Sequence, residues 1–288
     1  MNWFPLGLLC AFSLASADAL TKKYFSDATG LQLTVLRLAA PGILLLPLTF
    51  IYPLPPVPPF FWVLIVILVP FELLAMWLYM LAIRDNPLHL TVPYLAFTPV
   101  FNILTGMVIL GETISLAGFL GILLVVTGAW FLNIESIRFH DWKASFTAIL
   151  RIRGPRLMLS VALIYSFTSV LGKLAMQYAT PESFGPFYFT LLGMVAIGVV
   201  LLHKPGSTML LVRRWQPMLV VGGCMAVMII THFRAIAEVE VAYFIAVKRS
   251  SLIFGILYGY LLFKEENLFR HFLAGALMVS GVALIVAG

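Results

Sequence analysis

Ten long apolar runs, separated by short clusters of charged or turn-forming residues, succeed one another along the 288-residue chain. Their centres fall near Leu14, Leu44, Val69, Val100, Val125, Ile164, Ala196, Ala226, Phe254 and Val279. Each run approaches the ~20 residues that a helix needs to cross ~30 Å of hydrocarbon. Stretches such as Phe61–Met80 and Phe119–Leu132 are apolar throughout, without the alternation over about ten residues that marks barrel strands. Lipid leaves backbone polar groups no outside partner, so runs of this kind predict helices. The connection Tyr52-Pro-Leu-Pro-Pro-Val-Pro-Pro59 cannot be helical throughout, because proline has no N–H to donate. The longest polar stretch, Glu135 to Arg156, separates the fifth run from the sixth. Within it, residues 139–152 read as a short amphipathic helix on the membrane surface.

Composition agrees with burial in lipid. The chain is 62% hydrophobic and only 10% charged, with a mean hydropathy of +1.04, where a soluble domain carries about 25% charged residues. A net charge of +6 would suggest nucleic acid in a soluble protein; here it fits basic residues held at the cytoplasmic surface, and no nucleic-acid partner is expected. Cys10 and Cys224 both lie in apolar runs, without the spacing of a disulfide framework or a metal site. Ala17-Asp18-Ala19 has the small residues of a signal cleavage site, but no Lys or Arg precedes the apolar stretch, so the segment reads as the first span.

Charge also sets sidedness. The connections after spans one, three, five, seven and nine share one face and hold thirteen of the eighteen basic residues, Arg213 and Arg214 among them. The opposite face has Arg234 near a span end. By the positive-inside rule the loaded face is cytoplasmic, which places both termini outside.

The chain also repeats itself. Displaced by 153 positions, residues 82–132 align with 235–285 without a gap: Ala82-Ile83 falls on Ala235-Ile236, Phe101 on Phe254, Gly106 on Gly259, Glu112 on Glu265 and Gly128 on Gly281. Displaced by 151, Leu20-x-Lys22 falls on Leu171-x-Lys173. Each unit holds five spans, an odd number, so the second enters from the opposite face. The expected fold is therefore an all-α membrane protein with ten transmembrane helices, arranged as two inverted five-helix repeats. These are residues 1–134 and 157–288, with a cytoplasmic connecting loop at 135–156. Such a fold places a site between two bundles near the middle of the bilayer.

Phe97-Thr98-Pro99-Val100-Phe101 through Leu110-Gly111-Glu112, and Ser250-Ser251-Leu252 through Phe263-Lys264-Glu265, resemble the EamA group of the drug/metabolite transporter superfamily. The resemblance implies ten helices, a central cavity and carriage of small metabolites, and members are often exporters driven by gradients or exchange. In many such proteins the connection between spans two and three is basic and the termini are cytoplasmic. Here that connection is uncharged, so the charges place this chain upside down relative to the common member, and import and export both stay open.

A charge at bilayer depth costs roughly 2.5–3.5 kcal/mol by insertion scales unless it meets a cavity or a partner, which makes the few ionisable residues inside spans the candidate substrate-binding groups. Lys248 and Arg249 stand together in Phe244-Ile-Ala-Val-Lys-Arg-Ser-Ser251, and their repeat mates are Leu95 and Ala96. A guanidinium can hold a carboxylate or phosphate through two parallel bonds, while Lys adds a mobile point charge. The pair is similar to the Lys-Arg pair that holds the substrate phosphate in the ninth helix of plastid phosphate translocators. Two other readings stand beside anion capture: an ion pair with Glu72 or Glu240, and snorkelling towards a helix end. Glu72 reads as a proton carrier or as the counter-ion of the pair. Tyr79, seven residues on, shares its face and reads as a substrate donor or an interface anchor. Lys173, His232, Tyr94, Asn102 and Tyr243 complete the candidates; buried Asn102 must bond either a neighbouring helix or substrate. Asp18, four residues before Lys22, predicts an i,i+4 pair, and Arg37 reads as snorkelling to the cytoplasmic end of span two. Pro93 and Pro99 hinge or kink span four. Glycines 121, 128, 275 and 281 permit close helix contact, within one bundle or between protomers alike.

These features point to a secondary carrier of a small organic metabolite, anionic in the sharpest reading, working by alternating access in a bacterial inner membrane. Its partners are the substrate, the lipid bilayer, and a coupling proton or counter-substrate. The alternative is a flippase for a lipid or lipid-linked head group. No Walker sequence, HExxH pair, GxSxG elbow or paired acidic cluster is present, so neither an ATP-driven pump nor a membrane enzyme is expected, and no cofactor or metal.

Overall fold

The structure, a computed structural model, describes residues 3–85, 91–131, 153–203, 209–263 and 268–287. Among them every element is helical: α1 (Trp3–Tyr24), α2 (Gly30–Ile51), α3 (Pro59–Asp85), α4 (Thr98–Leu110), α5 (Leu116–Phe131), α6 (Arg153–Ala175), α7 (Pro181–His203), the short α8 (Met209–Arg213), α9 (Trp215–Glu238), α10 (Val241–Lys248), α11 (Ser251–Phe263) and α12 (Leu268–Ala287). A 3-10 segment, Val92–Phe97, leads into α4. Most of the connecting stretch 135–156, with its expected surface helix, lies outside the described residues.

Seven helical stretches are long and apolar enough to cross a membrane, Val241–Leu262 being counted as one, and three apolar helices are shorter: Tyr94–Leu110, Leu116–Phe131 and Ala274–Ala287. The chain is thus an integral, multi-pass membrane protein. The expectation of ~20 residues in a run is met by the seven and, at 20 residues, by α12. Helix α4 stops at Gly111, which takes the left-handed conformation at φ 69° and lets the chain turn back to Glu112.

Local chemistry sets other bounds as well. Thr29 and Gln32 form a reciprocal capping box that opens α2. The proline-rich connection is non-helical up to Pro58, and α3 begins at Pro59, where a missing N–H costs nothing. Pro99 likewise sits in the first turn of α4, so the feature expected there as a hinge or kink is a 3-10 segment joined to an α-helix.

Helix bounds recur along the chain. Thr98–Leu110 and Ser251–Phe263 lie 153 positions apart at both ends. Tyr24 and Ala175, which end α1 and α6, are 151 apart, as are the starts Gly30 and Pro181. The main packing partners are α5 with α12, α2 with α7, α1 with α9, and α3 with α6. Glycine sets the closest approaches. A Cβ on Gly42 would stand 2.7 Å from the Phe189 carbonyl oxygen, and one on Gly193 would stand 2.9 Å from that of Leu38. A Cβ on Gly121 would lie 2.6 Å from the Gly281 oxygen, and one on Gly128 would lie 2.7 Å from that of Ala274. Glycines 121, 128 and 281 are therefore used within the chain, whereas a Cβ on Gly275 would meet nothing within 4 Å.

The packing is uneven around the bundle. Helix α9 lies along α2, where Gly222 meets Ala40. Helix α3 barely touches α7; near their first turns, rings meet edge to face, Phe61 on Phe184 at 6.1 Å and Trp62 on Phe187 at 6.1 Å.

Candidate functional site

A cavity opens between the helices, bordered from α1 by Leu14, from α2 by Arg37, from α3 by Glu72, Met76 and Tyr79, and from the break before α4 by Leu95 and Thr98. The other half contributes Tyr165, Thr168 and Ser169 of α6, Tyr188 and Phe189 of α7, Met225, Met228, Ile229, His232 and Phe233 of α9, and Ile245, Lys248 and Arg249 where α10 ends.

The interruption between α10 and α11 places the basic pair. Lys248 closes α10, and the N–H of Arg249 donates to the carbonyls of Ile245 and Ala246, so the last turn tightens before Ser251 starts the next helix. Two cations in the last turn also oppose the negative end of the α10 dipole. Lys248 Nζ lies 3.0 Å from His232 Nδ1. An ammonium only donates, so Nδ1 accepts and the imidazole carries its proton on Nε2. His232 is itself held edge-on between Phe233 and Phe244, each at 4.9 Å. Arg249 is 4% exposed, and its Nε has no hydrogen-bond partner. Among the described residues neither Lys248 nor Arg249 has a carboxylate within 4 Å. The structural ion pair with Glu72 or Glu240 is not formed, and Arg249 does not snorkel.

Asp18 and Arg37 depart from the local readings. Asp18 pairs not with Lys22 but with Arg37, whose Nη2 lies 2.9 Å from Asp18 Oδ1, a contact short enough for an ion pair although its angle misses hydrogen-bond geometry. Tyr79 donates to Asp18 Oδ2 at 2.9 Å. Arg37 is only 1% exposed, and its Nε and Nη1 find no partner. It therefore does not snorkel: α1 and α3 supply its counter-ion and that counter-ion's donor at depth. Tyr79, buried in the same network, is not an interface anchor.

Of the candidates read from sequence, Lys248, Arg249, Glu72, Tyr79 and His232 border the cavity, and four do not. Lys173 donates to Glu112 Oε1 at 2.7 Å and to the Val239 carbonyl at 2.6 Å, and Glu112 Oε2 accepts from Val241 N at 2.9 Å. This group ties the turn after α4, the end of α6 and the α9–α10 connection together at one end of the bundle. Beside it, the Tyr243 hydroxyl accepts from Ser115 N at 2.8 Å. Tyr94 packs edge-on against Trp130 at 5.9 Å. The Asn102 side-chain amide stands 3.1 Å from the Ser169 hydroxyl, a polar contact between helices.

Sequence reading missed Arg37, Tyr165, Thr168, Tyr188, Met225 and Met228 as cavity residues. A signal was present. Leu14 and Tyr165, and Arg37 and Tyr188, are 151 positions apart; Glu72 and Met225, Met76 and Ile229, Tyr79 and His232, and Leu95 and Lys248 are 153 apart. Each position of these pairs lines the same cavity.

Comparison with known proteins fits this geometry. The model of the EamA-like transporter family matches residues 1–134 and again residues 152–287. A solved structure described only as the crystal structure of a protein superposes with a TM-score of 0.76 at 16% sequence identity, covering 99% of this chain and 98% of that one, which shows a shared fold. No curated protein matches the chain.

Proposed function

This chain belongs to the EamA-like transporter family, whose members are membrane transporters rather than enzymes, and from that premise we propose that it is a secondary carrier of a small organic anion. The observation that carries the anionic part is Arg249, a guanidinium 4% exposed at the border of the cavity with no carboxylate beside it among the described residues. A buried cation without a partner is strongly unfavourable, and an anionic substrate relieves that cost each time it binds.

In this reading ten spans form two inverted five-helix units, 1–134 and 157–288. Support comes from the helix bounds that recur at displacements of 151 and 153 and from the two stretches matched by one family model. Cavity residues also pair off at those displacements. The units rock about the cavity and expose it to one side at a time, driven by a gradient or by exchange, with Glu72 available to carry a coupling proton. The basic residues place the connections after the odd-numbered spans in the cytoplasm and the termini outside, in a bacterial inner membrane.

The test is reconstitution into liposomes with radiolabelled carboxylates and phosphate esters. Wild-type protein is expected to accumulate at least one of them, and the folded Lys248→Glu/Arg249→Glu variant none; unchanged uptake by that variant defeats the anionic reading. The flippase alternative draws on the sparse contact between α3 and α7, which leaves a lateral side beside the cavity. Redistribution of a labelled lipid between leaflets, without uptake of any soluble anion, would favour it.

A further inference from the structure

We infer that the cavity selects a monoanion with an apolar body, a carboxylate on an aromatic or aliphatic frame, over a sugar phosphate or a zwitterionic amino acid. The inference rests on the carrier reading above and narrows its substrate class.

Formal charge gives the first part. Among the described residues the border carries three cations, Arg37, Lys248 and Arg249, and one carboxylate, Glu72. Arg37 is answered by Asp18, which leaves a balance of +1 in the state where Glu72 is ionised and carries no proton. A monoanion brings the site to neutrality, a dianion overshoots it, and a zwitterion leaves it charged in a poorly hydrated interior.

The hydrogen-bonding inventory gives the second. Thr98 donates to the Leu95 carbonyl at 2.6 Å, and Ser169 to that of Tyr165 at 2.6 Å. The Tyr79 hydroxyl is held by Asp18, and His232 Nδ1 by Lys248. Among the described residues no Asn or Gln stands on the border. The polar groups that remain there are the Glu72 carboxylate, the hydroxyls of Tyr165, Thr168 and Tyr188, and the guanidiniums of Arg249 and Arg37, whose buried Nε (both) and Nη1 (Arg37) have no partner. Each hydroxyl of a sugar that meets none of these groups costs about 1–3 kcal/mol if dehydrated without a partner.

The third part is the remaining surface. Met76, Met225, Met228, Ile229, Phe189 and Phe233 border the cavity and are each no more than 7% exposed. Flexible thioethers and ring edges accommodate an apolar or aromatic frame while asking for no particular hydrogen bond. A head group at Arg249 and a body against this wall use both halves of the site.

The experiment compares three probes on purified, detergent-solubilised protein by thermal shift and calorimetric titration. 3-Phenylpropionate, L-phenylalanine and glucose 6-phosphate separate the carboxylate on an apolar frame, the same frame with an ammonium, and the polar phosphate ester. 3-Phenylpropionate is expected to bind at least ~10-fold more tightly than the other two, and Arg249→Gln to weaken it by about tenfold or more, the size of a charge-assisted bond. Should that variant not fold, Lys248→Gln and Tyr188→Phe provide the same reading with smaller losses. Equal or tighter binding of glucose 6-phosphate or phenylalanine overturns the inference, as does 3-phenylpropionate binding that no cavity substitution alters. Binding in detergent judges the substrate class whether or not liposomes transport. Conversely, Arg249-dependent uptake of glucose 6-phosphate would keep the carrier and discard the class.

Discussion

Arg37 and Tyr188 stand 151 positions apart in the chain and border the same cavity, one from α2 and the other from α7. The two helices begin at corresponding residues, Gly30 and Pro181, and cross where Gly42 faces Gly193. One scaffold position thus carries a guanidinium in the first half of the chain and a phenol in the second.

The Arg37 network should be fragile to removal of one partner. Asp18→Asn leaves a guanidinium that is 1% exposed without its counter-ion, and breaking a buried pair costs about 3–5 kcal/mol. Asp18→Asn/Arg37→Met removes both charges and is expected to recover most of the loss. Thermal unfolding of the single and double variants in detergent measures this; a double variant no better than Asp18→Asn would refute the pairing.

At a second ion pair, Glu112→Ala deprives Lys173 and the Val241 N–H of their shared acceptor. The expected loss is about 1–3 kcal/mol, the range for leaving such groups unsatisfied. Glu112→Gln keeps an acceptor oxygen and should lose less. Equal melting temperatures for wild type and Glu112→Ala would show that the pair holds nothing together.

Gly42→Val places a side chain 2.7 Å from a backbone oxygen of α7, which no rotamer change relieves. We expect a loss of about 1–3 kcal/mol or more, the range for overpacking, read as a lower melting temperature and a smaller monodisperse fraction on size exclusion. Gly198→Ala, where a Cβ would meet nothing within 4 Å, is the control and should be neutral or slightly stabilising.

Outside the spans, Arg214 holds Asp27 through two bonds, Nη1 to Oδ1 at 2.6 Å and Nη2 to Oδ2 at 2.9 Å. The guanidinium keeps the Asp27 carboxyl below its ordinary value. A lowered folded-state pKa means that this contribution is fully present above about pH 4, the unfolded carboxylate range, and is lost as pH falls through the folded value. The melting temperatures of wild type and Asp27→Asn should therefore converge as pH drops from 5 to 3. Molar salt should narrow the same gap, because both side chains are exposed to screening. A gap independent of pH and salt contradicts this.

Much of the fold was legible because lipid enforces a simple code. Apolar length predicts helices, and the proline run at 52–59 marks where one of them stops. In the cavity, Lys248 and Arg249 were conspicuous as charges in an apolar run. Arg37 was misread because it lies near a predicted span end, and its counter-ion comes from another helix, which spacing within one helix cannot show. Lys173 and Tyr243 were misplaced for the same reason: their partners Glu112 and Ser115 lie 61 and 128 residues away. Tyr188 and Met225 carry no charge to attract notice, and only their partners at the repeat displacement give them away.

The crossing of α2 and α7 has a mechanical implication. With no side chain between Gly42 and Gly193, the two backbones touch like the blades of scissors at the rivet. In the alternating-access reading proposed above, a relative rotation about that point would draw the helix tips on one side of the bilayer together while those on the other spread. Spin labels at the two ends of this pair would then change their separations in opposite senses during a single turnover.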